Sequence, residues 1–123
     1  MDVLQQFTQI LCGSFDNAAQ FREMQEKGEA AFPYARHVNT PCNGKIRGLP
    51  QGFEGVFVVE ESYYTVNGRT HASPHLFLFT QQGRDVKLTS YELPQGCDKA
   101  GFTFETVSYT HLGACIAHAP ASV

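Results

Sequence analysis

Two β-rich runs, Gly55 to Val66 and Arg69 to Thr80, meet at Asn67-Gly68, the dipeptide that most strongly signals a two-residue hairpin turn. Such a loop needs positive φ at both central residues, which Asn and Gly tolerate, and its twist matches that of the flanking strands. The turn therefore predicts a register: Tyr64 faces His71, Ser62 faces Ser73, Glu60 faces His75, Val58 faces Phe77 and Val56 faces Phe79. Because side chains alternate along a strand, all of these share one face. The other face carries Phe57, Val59, Leu76 and Leu78, then Glu61, Tyr63, Ala72 and Pro74 nearer the turn. Far from the turn both faces are apolar, the pattern of a strand pair with a core on one side and helices or a partner on the other.

Around this hairpin the spacing predicts two short helices and an antiparallel meander. Val3, Leu4, Phe7, Ile10 and Leu11 recur at helical intervals behind Asp2, a good N-cap, and Gly13 supplies the stop. A second helix is expected to start near Asp16 or Asn17, with Asn17 and Gln20 spaced as a capping box, and to run through Phe21 and Met24 to Gly28. From Phe32 to Gly52 the density of Pro and Gly leaves room for one short strand, Tyr34 to Asn39. Further strands are expected at Asp85 to Leu93 and Gly101 to Tyr109, on either side of Pro94-Gln95-Gly96. Beyond Tyr109 the alternation and most of the charge disappear, so residues 1–109 read as the domain and 110–123 as a tail outside its core. An abrupt end to a meander leaves an exposed edge strand, and the chain reads as a shortened version of a longer barrel.

With 123 residues the chain suits one domain, burying roughly 60 to 70% of its unfolded surface. The ten Phe, five Tyr and eleven Gly, with no Trp, favour β-structure. A net charge of −3 and scattered Lys and Arg give no basic stripe, which argues against nucleic acid and an anionic membrane surface as partners. No apolar run is long enough to span a bilayer, and the N-terminus lacks the pattern of a secretion signal. A soluble intracellular protein is expected, with Cys12, Cys42, Cys97 and Cys115 as reduced thiols. His111, Cys115 and His118 are zinc-type ligands without a standard spacing, so no metal is expected. Gly44, Gly48 and Gly52 are spaced as turns and not as a phosphate loop.

Near the hairpin turn one face gathers Glu60, Tyr64, His71 and His75. Two readings stand side by side: a solvated strand end, or a ligand pocket in which Glu60 orients or protonates a bound molecule and the aromatic side chains form the wall.

Phe15-Asp16-Asn17-Ala18-Ala19-Gln20 shortly after Gly13, and Val56-Phe57-Val58-Val59-Glu60-Glu61-Ser62-Tyr63 opening the hairpin, resemble the CpcT/CpeT family of phycobiliprotein chromophore lyases over Val3 to Tyr109. The resemblance implies a calycin-type antiparallel barrel, related in shape to lipocalins, mainly β with two N-terminal helices. It implies a phycobilin, a linear tetrapyrrole, as ligand or substrate and not as a tightly bound cofactor. The implied activity is attachment of that bilin through a thioether to a cysteine of a phycobiliprotein β-subunit, the acceptor partner. Glu60 matches the family's strand glutamate and takes the acid or orienting role, with Tyr63, Tyr64, His71, His75 and Glu61 as ligand-binding residues. The implied location is the cytoplasm, or the plastid stroma in an alga. Where the family carries two arginines on the next strand, this chain has Leu76 and Leu78. The alternative is accordingly a non-catalytic, tetrapyrrole-like binding protein of calycin shape that has lost transfer. A homodimer through an open sheet edge or the hairpin's second apolar face is also expected.

Overall fold

The computed structural model describes residues 2–28, 33–46, 48–93 and 101–106. Its elements run α1 (Val3–Leu11), β1 (Gly13–Asp16), α2 (Ala18–Glu26), β2 (Tyr34–Pro41), a 3-10 turn (Asn43–Lys45), β3 (Val56–Val66), β4 (Arg69–Ala72), β5 (His75–Gln82) and β6 (Asp85–Tyr91). The six strands form one antiparallel sheet in the order β1-β2-β3-β5-β6, with β4 extending the far end of β3 beyond β5. The mainly β, two-helix architecture agrees with the sequence. Among the described residues the sheet is not closed into a barrel, since β1 and β6 do not pair with each other.

The hairpin forms in the expected register, with Tyr64 opposite His71, Glu60 opposite His75 and Val58 opposite Phe77. Asn67 and Gly68 both take positive φ, 51° and 75°, as the tight loop requires. The second arm is one run in the sequence but divides into β4 and β5 at Ser73-Pro74. Pro74 has no N–H to give the ladder, and Ser73 N donates to Ser62 O just before the break.

Both faces of the sheet are covered. On one, α1 lays Leu4, Phe7 and Leu11 against Val58, Phe77 and Phe79. Helix α1 begins in a capping box: Asp2 accepts from Gln5 N at 2.7 Å, and the Gln5 side chain accepts from Asp2 N at 3.2 Å. On the other face Phe57, Val59 and Leu76 pack with Cys42, Ile46 and Phe102. Asn43 ties this second cover to the sheet, accepting from Phe57 N at 2.7 Å and donating to Gly55 O at 2.9 Å.

Three expectations are corrected. Strand β1 separates the two helices where the sequence predicts only the stop at Gly13 and a helix start near Asp16 or Asn17, and it is held by pairing with β2, Phe15 opposite His37. The capping box at Asn17 does not form. Asp16 accepts from Ala18 N instead, while Asn17 bridges to the strand beyond, donating to Pro33 O and accepting from Ala35 N at 2.8 Å. Over residues 101–106 there is a turn and not a strand: Thr103 and Thr106 exchange hydroxyl-to-backbone hydrogen bonds that replace a ladder. The remainder of that expected strand, the tail and Cys97 lie outside the described residues. Cys12 is a free thiol, and Cys42 is buried in the core.

Candidate functional site

The face of the sheet beneath α1 changes from apolar to polar along β3. Val56 and Val58 lie under the helix, and Glu60, Ser62 and Tyr64 continue past its C-terminal end. Pairing with β2 sets Asn39 opposite Glu60 and His37 opposite Ser62, and β1 adds Phe15 next to His37. Three strands thus supply one row of side chains. An open cleft of about 400 Å³ lies there, lined by Ile10, Leu11, Phe15, His37, Asn39 and Glu60, a volume in the range of ligand sites. A second cleft of about 470 Å³ on the other flank of α1 is lined by Gln5, Thr8, Gln9, Cys12, Pro41 and Val56. Although larger, it holds no charged side chain, so the first cleft carries the chemistry.

Within that cleft the hydrogen bonds form a chain. His37 Nδ1 lies 2.8 Å from Ser62 Oγ, and Ser62 Oγ donates to Glu60 Oε1 at 3.1 Å. A hydroxyl has one proton, so Ser62 gives it to the carboxylate and accepts from the imidazole. His37 therefore carries its proton on Nδ1, and in the neutral ring Nε2 is a bare acceptor. Ser62 is 1% exposed, which shields this chain from competing water. Since the serine and not the histidine is central, the arrangement orients Glu60 and does not build a serine nucleophile.

Of the residues singled out by sequence, Glu60 reaches the cleft. Tyr64 lies on the same face with its ring edge-on to His37, centroids 5.8 Å apart. His75 is opposite Glu60 but stacks on Phe77 at 5.2 Å and lies 3.4 Å from Ser73 Oγ through Nε2. His71 is exposed on β4, opposite Tyr64. Tyr63 and Glu61 occupy the opposite face of the sheet. There Tyr63 OH donates to Glu61 Oε1 at 2.8 Å, Phe104 N donates to Glu61 Oε2, and Arg36 sits 4.8 Å above the Tyr63 ring. Burial, then the hydrogen bond to Glu61 and its charge, push the Tyr63 phenol up, and Arg36 opposes them. The six residues are thus divided between two faces. Leu76 and Leu78 also lie on the Tyr63 face, away from Glu60.

His37 and Asn39 complete the cleft and are not evident from the sequence, because the Pro- and Gly-rich connection between β2 and β3 contains no turn signature that sets their register. Among the described residues no cluster of His, Cys, Asp and Glu could hold a metal ion, and no helix is long and apolar enough to cross a membrane. No family model, curated protein or solved structure matches the chain.

Proposed function

We propose that the chain binds a phycobilin in the cleft between α1, β1, β2 and β3 and acts as a chromophore lyase or bilin chaperone for a phycobiliprotein β-subunit cysteine, with Glu60 as the acid or orienting group. The observation that carries this reading is the cleft-lining Glu60 held through Ser62 by His37. A carboxylate restrained in this way is suited to stay on one ring of a conjugated ligand and to favour its protonated form. Ile10, Leu11 and Phe15 offer the apolar wall that a planar chromophore needs. In the transfer step the acceptor S–H adds across a carbon–carbon double bond of the bilin: a C–S bond forms, the S–H bond breaks, and the proton goes to the neighbouring carbon. The same reading takes the antiparallel meander as a calycin-like framework.

A second reading, a carrier without transfer, is favoured by one observation: the cleft-lining residues include no Lys or Arg to hold a propionate during transfer. An absorbance and fluorescence titration with phycocyanobilin, followed by addition of an apo-phycobiliprotein β-subunit and denaturation, separates the two. Colour that stays on the β-subunit after denaturation supports the lyase. A red-shifted complex that yields no covalent colour supports the carrier. An unchanged spectrum throughout overturns both. In the Glu60→Gln variant the red shift is expected to be lost, and its persistence would remove Glu60 from the proposed role.

A further inference from the structure

Asn39 is 6% exposed, and its Nδ2 donates to Leu11 O at 3.0 Å, which fixes which end of the amide is oxygen. Its Oδ1 is buried and has no hydrogen-bond partner among the described residues. A buried acceptor in this condition destabilises the free protein by about 1–3 kcal/mol and calls for a specific reason. Asn39 stands opposite Glu60, and both line the cleft. Two acceptors side by side cannot satisfy each other while Glu60 is ionised. The third polar group of the cleft, His37, has its Nδ1 proton committed to Ser62, which in the neutral ring leaves Nε2 as another acceptor. The floor of the cleft is therefore made of acceptors, and donors must come from what binds there.

Resting on the bilin reading above, we propose that this cleft recognises its ligand by the N–H edge of the pyrrole rings, with Asn39 as a positioning residue, and leaves the ligand's propionates in solvent. Pyrrole N–H groups supply donors to Asn39 Oδ1, to Glu60 beside the one it receives from Ser62, and to Nε2 of the neutral His37 ring. A propionate would meet the Glu60 charge with no Lys or Arg among the lining residues to offset it. The conjugated plane would cover Ile10 and Phe15, which are 79% and 46% exposed, so apolar surface at the cleft rim is buried by the same orientation.

The test uses the full chain and three probes followed by absorbance: phycocyanobilin, its dimethyl ester, and a derivative methylated on the pyrrole nitrogens. The ester is expected to bind within about threefold of the free acid, and the N-methyl derivative at least about tenfold more weakly. Asn39→Leu, which removes the acceptor, is expected to shrink the N-methyl penalty, separating lost recognition from simple bulk. A larger loss on esterification overturns the orientation, as does N-methyl binding within tenfold of the free acid. An N-methyl penalty unchanged in Asn39→Leu overturns the role of Asn39. If free phycocyanobilin itself does not bind, the bilin reading fails and this orientation with it, an outcome distinct from the other three.

Discussion

His37 Nδ1 lies 2.8 Å from Ser62 Oγ across 25 residues of sequence, because β2 runs antiparallel to β3 in the register that sets one opposite the other. The contact joins a ring at the cleft to a buried hydroxyl that also holds Glu60. Ser62→Ala removes both hydrogen bonds and leaves two polar groups without their shared partner. A loss of about 1–2 kcal/mol in urea unfolding is expected. In a double-mutant cycle with His37→Phe the two losses should be non-additive by about 0.5–1 kcal/mol, and strict additivity would show that the contact carries no energy.

The β3–β4–β5 part of the site is legible in the sequence, since Asn67-Gly68 alone decides that Glu60 meets His75 and Tyr64 meets His71. The β2 part is not. The chain from β2 to β3 closes through packing, such as Asn43 bridging Gly55 and Phe57, so nothing local to it places Asn39 beside Glu60. β1 escapes for a different reason: four exposed residues carry no alternation, and they are strand only because β2 presents them with an open edge. Phe102 and Phe104 mimic strand alternation, yet Phe102 is buried from a turn whose hydrogen bonds close on Thr103 and Thr106.

Asn39→Leu should separate stability from binding. The substitution gives up one hydrogen bond to Leu11 O but also removes a buried acceptor that has no partner among the described residues. These effects oppose each other at about 1 kcal/mol each, so the melting temperature is expected to move little while phycocyanobilin affinity falls about tenfold. A variant that loses stability and affinity in step would show Asn39 to be purely structural.

Leu76→Arg tests which face of the sheet holds the ligand. Leu76 has 0% exposure and packs among Phe57, Val59 and Phe102. A guanidinium there would displace a fully buried apolar side chain from a packed cluster, and a loss of more than about 3 kcal/mol is expected, seen as early urea unfolding and diminished near-UV dichroism. A folded Leu76→Arg protein that binds phycocyanobilin more tightly would move the ligand to the Tyr63 face and away from Glu60.

On that face Tyr63 gives a pH signature of its own. Burial raises its phenol first, the Glu61 hydrogen bond and charge add to the rise, and Arg36 lowers it. A group whose folded-state value exceeds its unfolded value contributes stability that is fully present below the unfolded phenol's range, near pH 10 (about the ordinary value), and is lost as pH rises through the folded one. Tyr63→Phe should therefore flatten part of the alkaline loss of stability and leave neutral pH behaviour unchanged in shape. Two neighbours predict opposite shifts in the tyrosinate absorbance titration. Glu61→Gln keeps a side-chain acceptor but removes the negative charge, so the phenol titrates at lower pH. Arg36→Gln removes the cation above the ring, so it titrates at higher pH. Shifts of the same sign in both variants would mean that the phenol responds to rearranged packing, and that the Arg36–Tyr63–Glu61 cluster does not set its charge.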